Sequence, residues 1–184
     1  AMNFITQNTF YHGWNARRNT AADGGAILTA DKLPILNRAA LAVCDAKDGV
    51  TDGLIDNPPA CGFDPGATLC REGQDASMCL TPSQVEVARE LYRGAHDATG
   101  NKLVLSGPEP GSELAWQGVF VPANAGAANF SASIAIGTIK YLTTATPRPA
   151  TYTLNDFQFD RATFDVVTPM RSLYDSTNPD LTRF

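Results

Sequence analysis

Cys44-Asp45-Ala46-Lys47-Asp48-Gly49-Val50-Thr51-Asp52-Gly53-Leu54-Ile55-Asp56, closed a little further on by Cys61, is the stretch from which the rest of the chain is read. Its acids recur at spacings of three, four and four, and glycine directly follows two of the aspartates. Glycine tolerates positive φ, so the backbone turns back and several carboxylates and carbonyls can face one point. Short Asp side chains with peptide carbonyls are the ligands of a hard cation of calcium's size. The spacing is not that of an EF-hand, which places acids at positions 1, 3 and 5 and a bidentate Glu at 12. An exposed loop in which Asp-Gly only makes turns accounts for the pattern about equally well. Magnesium fits less well, since it keeps several waters and takes fewer protein ligands.

The four cysteines, Cys44, Cys61, Cys70 and Cys79, all fall within residues 44–79. No Cys-x-x-Cys pair is present and the nearest histidine is His96, so disulfides are favoured over a zinc site of four thiolates. Four cysteines allow three connectivities. The sequential one, Cys44–Cys61 with Cys70–Cys79, closes two short loops, each worth roughly 3 kcal/mol by loop entropy. A Cys44–Cys61 clamp would also preform the acidic loop and favour calcium. Disulfides predict an oxidising compartment, so the protein is expected to be secreted or periplasmic. The opening Ala1-Met2-Asn3-Phe4 has no basic or apolar leader, which places any export signal upstream. No stretch approaches the roughly 20 apolar residues of a membrane span.

The chain has 184 residues, 43% hydrophobic and 18% charged, with 15 Gly and 12 Pro, which predicts one loop-rich domain over residues 1–184. A net charge of -5 without a long basic run argues against nucleic acid as a partner. Phe4, Ile5, Phe10, Tyr11 and Trp14 form a loosely helical apolar face. Leu33, Leu36, Ala40 and Val43 recur at helical spacing behind a possible Thr29 cap. Thr81-Pro82-Ser83-Gln84 reads as a capping box for a helix with Val85, Ala88, Leu91 and Tyr92 on its apolar face. Leu103-Val104-Leu105 reads as a short strand, and Ile134, Ile136, Ile139 and Tyr141 fit a helix somewhat better than a strand. Asp160 to Val167 reads as a short helix and Thr168 to Phe184 as polar and turn-rich. The expected class is α+β, mainly short helices with small strands and long loops.

The run Leu28-Thr29-Ala30-Asp31-Lys32-Leu33-Pro34, the Cys-Asp-x-x-Asp-Gly-x-x-Asp-Gly stretch at Cys44–Gly53, and Phe63-Asp64-Pro65 together resemble the tannase/feruloyl esterase family. The likeness continues through Cys79-Leu80-Thr81, Pro110-Gly111-Ser112-Glu113, Trp116 and Asn178-Pro179-Asp180-Leu181. In that family a large lid interrupts an α/β-hydrolase domain, and this chain is similar to the lid. The resemblance implies calcium held by Asp45, Asp48 and Asp52, with Val50 and Leu54 giving carbonyls and Asp56 standing behind them. It implies the disulfides Cys44–Cys61 and Cys70–Cys79 across a loop at 44–61. It also implies a catalytic α/β-hydrolase domain in the same polypeptide, outside these residues, as the lid's partner.

An α/β-hydrolase needs a serine on a Gly-x-Ser-x-Gly elbow and a histidine held by an acid. Gly111-Ser112-Glu113 lacks the second glycine, and the only histidines are His12, in an aromatic segment, and His96, expected to be exposed. By resemblance the serine lies before Ala1 and the Asp and His after Phe184, so the chain alone is expected to be inactive. A lid encloses substrate and sets specificity. Within a substrate-facing segment at about 112–142, Trp116, Phe120 and Phe130 are candidates to stack on an aromatic ester, and Ser131 and Ser133 to bond its ring substituents. Each of these aromatics serves equally well as core. No Arg or Lys occurs between Trp116 and Lys140 to clamp a terephthalate-type carboxylate, which favours phenolic acid esters. The alternative is a self-standing, calcium-stabilised extracellular binding module without esterase activity.

Overall fold

The structure, a computed structural model, describes residues 3–178, 180 and 182. It is helical, with long loops. α1 (Phe4–Thr6), a π-helical stretch (Gln7–Tyr11) and α2 (His12–Arg18) follow one another with helical backbone at each junction. α3 (Leu33–Cys44), α4 (Pro82–Arg93), α5 (Phe130–Tyr141), α6 (Arg161–Val167) and α7 (Arg171–Tyr174) complete the α-helices, joined by several 3₁₀ turns. Among the described residues β structure is confined to isolated bridges. The expected strand at Leu103-Val104-Leu105 does not form. Leu103 donates its N–H to the Ala95 carbonyl beside the His96–Lys102 bridge, and Leu105 is 90% exposed, with no second strand to bury it.

The α4 boundary follows from its sequence. Gln84 N–H bonds the Thr81 hydroxyl at 3.3 Å while the Gln84 side chain accepts from Thr81 N–H at 3.0 Å, and Pro82 occupies the first turn, where a missing N–H does no harm. α3 differs from expectation at its start. Thr29 directs its hydroxyl to Asp31, a 3₁₀ turn (Ala30–Lys32) intervenes, and the α-helix begins at Leu33 with Pro34 in its first turn. Asn129 caps α5, whose inward face is Ser131, Ala135, Thr138 and Ile139. Tyr141, at the end of this helix, is exposed. Residues beyond Thr168 are also more helical than expected. The α7 turn is held by the Arg171–Asp175 ion pair at 2.8 Å, and the Asp175 carboxylate accepts the Ile5 N–H at 3.0 Å. Pro179 and Leu181 lie outside the described residues.

Two hydrophobic clusters form the interior. One gathers Leu33 and Leu36 of α3, Val85, Ala88 and Leu91 of α4, and Trp116, Phe120 and Val121 from the loop after α4. The other gathers Ile5, Phe10, Trp14, Ala135, Ile139 and Phe157, with Phe10 edge-on to Phe157 at 5.3 Å. Gly94 and Gly107 bring the end of α4 and the following loop into contact. A Cβ on Gly107 would lie 1.8 Å from the Leu91 carbonyl oxygen, and Gly94 sits at φ +72°. Disulfides join Cys44 to Cys61 and Cys70 to Cys79, the sequential pairing. No helix among the described residues is long and apolar enough to cross a membrane.

Candidate functional site

The acidic loop springs from the end of α3. Asp45 is 8% exposed, and its carboxylate accepts the N–H groups of Asp52 and Gly53, each at 3.2 Å, folding the far side of the loop back onto α3. Asp48 accepts Val50 N–H at 2.8 Å and Asp52 accepts Leu54 N–H at 3.1 Å, one tight turn at each Asp-Gly. Gly49 and Gly53 adopt φ of +95° and +83°, as the sequence requires of them. The Cys44–Cys61 bridge closes the base, beside a hollow of about 500 Å³ that Asp48 and Asp56 help to line. The donor set suits a hard cation, being carboxylate and carbonyl oxygen throughout. In this arrangement, however, no three acidic, His or Cys side chains among the described residues converge closely enough to hold an ion. Each predicted carboxylate is turned onto backbone N–H groups of its own loop.

The loop is tied to the rest of the domain through Ile55, whose side chain packs 3.2 Å from where a Cβ on Gly111 would stand. Two residues on, Glu113 is fully buried and accepts from Gly111 N–H at 2.9 Å, Asn37 Nδ2 at 2.8 Å and the Tyr92 hydroxyl at 2.6 Å. Three neutral donors from α3, α4 and the loop itself thus meet one carboxylate. Its place in a Pro/Gly-rich run gave no signal of burial.

The five predicted substrate contacts separate into core and surface. Trp116 is 1% exposed and Phe120 6%, their rings 5.6 Å apart, with the Trp116 indole N–H bonded to Ser112 Oγ at 2.9 Å. Both faces are spent on core packing, so neither ring is open to a substrate. Ser131 is fully buried and donates to the Val119 carbonyl at 2.8 Å, fastening the start of α5 to the loop. Phe130 is 53% exposed and Ser133 is exposed, one turn of α5 presenting both. The sequence reading passed over the flanking ridge. The His12 ring stands edge-on to Phe130 at 6.5 Å and to Tyr11 at 5.5 Å.

His12 Nδ1 lies 2.9 Å from Ser131 Oγ, a spacing that a hydrolytic base and nucleophile would share. The surroundings differ from that case. The Ser131 hydroxyl also lies 2.8 Å from the Val119 carbonyl, so its one hydrogen has a second acceptor to hand. Burial lowers the His12 pKa, and no carboxylate within ion-pair distance holds the ring among the described residues. His96, expected to be exposed, packs against Trp14 with ring centres 4.5 Å apart and the rings tilted by 59°, which leaves its side chain 10% exposed.

The described residues therefore define a disulfide-closed helical domain with an acidic loop and an aromatic ridge on its surface. The family profile "Tannase and feruloyl esterase" matches residues 1–184, and the chain belongs to that family. It is 38% identical over 85 residues to an uncharacterized esterase of Xanthomonas campestris, covering 46% of this chain and 15% of the relative. It is 31% identical over 104 residues to feruloyl esterase C of Talaromyces stipitatus, covering 56% and 19%. The crystal structure of feruloyl esterase B from Aspergillus oryzae has the same fold over 100% of this chain and 34% of its own, with a TM-score of 0.67 at 24% identity. The chain thus spans about a third of that solved structure, and its aligned segments cover less than a fifth of the two sequence relatives.

Proposed function

We propose that this chain is the lid of a tannase/feruloyl-esterase-type carboxylic ester hydrolase, working on an α/β-hydrolase domain of the same polypeptide that carries the Ser, Asp and His. The carrying observation is the pairing of a family match across residues 1–184 with a fully buried serine as the one hydrogen-bond partner of the His12 side chain among the described residues. The bond between Ile5 and Asp175 brings segments near the two ends together, as an insertion needs. In this reading the aromatic ridge of Tyr11, His12 and Phe130, with Ser133 beside it, faces the substrate, while Trp116 and Phe120 support it from the core. A phenolic acid ester suits this surface, which has aromatic edges and a hydroxyl but no cation. Calcium would be held by Asp45, Asp48 and Asp52 with the Val50 and Leu54 carbonyls, its charge drawing the acids together and stiffening the loop. Two disulfides in a domain of this size fit a secreted or periplasmic protein.

Hydrolysis of methyl ferulate and methyl gallate, measured for this chain and for the full-length protein, tests the assignment. Turnover is expected only from the full-length protein, with Phe130→Ala raising its KM. Turnover by the chain alone would overturn the lid role. A parent gene without a nucleophile elbow would instead favour the self-standing module.

A further inference from the structure

Two arginines line one trough beside α3. Ile35, Arg38 and Ala39 lie at i, i+3 and i+4 of α3 and so occupy one face of it. Across from them runs the Cys70–Cys79 loop, and the two walls border an open trough of about 660 Å³. That volume is within the roughly 300–1,000 Å³ of small-molecule sites. Leu69 and Met78 give the trough an apolar surface, 43% and 58% exposed. The loop wall is fixed by its disulfide and by Lys32 Nζ, which donates to the Ala76 carbonyl.

Arg38 and Arg71 both line this trough, and neither side chain makes a hydrogen bond or ion pair among the described residues. Every other described arginine is bonded, Arg18 to Glu90 and Arg89 to Asp64 among them. In a chain of net charge -5, the two arginines line the same trough as exposed apolar surface, with Glu72 as the one acid in the lining. Guanidinium matches the geometry of a carboxylate, and the apolar wall suits a ring or chain attached to it.

We propose that this trough is a binding site for an amphiphilic carboxylate of aromatic-acid size, its carboxylate between Arg38 and Arg71 and its body against Leu69 and Met78. The site does not depend on the lid reading and shares no residue with the aromatic ridge or the acidic loop. Titration of the 184-residue chain with ferulate, followed by residue-resolved amide shifts, tests it, with ferulamide as the neutral isostere and inorganic phosphate as the anion without an apolar body. Saturable shifts confined to residues 35–39 and 67–78 are expected with ferulate, and binding at least about tenfold weaker with ferulamide and with phosphate. Arg38→Gln and Arg71→Gln should each weaken ferulate binding about tenfold without moving the melting temperature, since both side chains are exposed. Equal binding of ferulamide overturns the carboxylate contact, equal binding of phosphate overturns the apolar one, and no saturation or unchanged affinity in both variants overturns the site.

Discussion

The Tyr92 hydroxyl donates to a Glu113 carboxylate that is entirely buried, at 2.6 Å, joining α4 to the loop that carries Trp116. Burial, with the Glu113 charge beside it, pushes the Tyr92 pKa well above the ordinary tyrosine value, so the phenol stays a donor throughout the working range. Tyr92→Phe leaves the ring packed on Trp116, 5.1 Å away, but takes one donor from a buried carboxylate. The expected loss is about 1.5–3 kcal/mol in urea unfolding. A change within about 0.5 kcal/mol would mean that Asn37 and Gly111 N–H suffice.

Two glycines should respond in opposite directions to the same substitution. Gly107→Ala drives a methyl into the Leu91 carbonyl, backbone against backbone, and is expected to destabilise by about 3 kcal/mol or more. Gly137 lies inside α5, where an added Cβ meets nothing within 4 Å. Gly137→Ala should therefore stabilise by about 0.5–1 kcal/mol through helix propensity. Denaturant midpoints of the two variants against the parent give both signs in one experiment.

The acidic loop makes a prediction that separates folding from metal binding. If calcium binds there, an excess near 100 Kd adds about 2.7 kcal/mol, or a rise of roughly 5–10 °C in melting temperature for a domain of this size. Chelation should reverse it. Asp48→Asn should abolish the calcium response while leaving the chelated melt nearly unchanged, because its own bond is to one exposed turn. Asp45→Asn should lower the melt even in chelator, since that carboxylate also holds Asp52 and Gly53. An unchanged melt, with no calcium by elemental analysis, refutes the site.

The sequence was most readable where local chemistry decides the structure. The Thr81–Gln84 box, the glycine turns after Asp48 and Asp52, and the helix over Ile134–Tyr141 all depend on residues within a turn of each other. Readings that needed long-range knowledge fared differently. Whether Trp116 faces a substrate or the core depends on Tyr92, 24 positions earlier, and on Ser112, and periodicity carries neither. Leu103-Val104-Leu105 has strand composition, but among the described residues no partner strand comes near it. His96 follows a helix and precedes a turn, which suggests exposure, yet Trp14, 82 positions earlier, covers it. Asn37, Tyr92 and Glu113 form a site only once α3 and α4 have packed.

His12 gives a pH dependence with a definite sign. Burial lowers its pKa in the folded chain, while in the unfolded chain it returns to about 6.5. Above about pH 6.5 both states hold the ring neutral, and its contribution to stability is fully present. As the pH falls below that value the unfolded state takes up the proton first, so stability declines until the folded pKa is passed, by at most about 1.4 kcal/mol per pH unit for one group. His12→Gln cannot titrate, and Ser131 keeps its bond to Val119 in that variant. The unfolding free energy of the parent minus that of His12→Gln, measured in urea from pH 7.5 to pH 5, cancels the carboxylates common to both. That difference should be flat down to about pH 6.5 and then fall. A difference that rises with acidity would show that a negative charge reaches His12 in the folded protein, and a flat one that the ring is solvated.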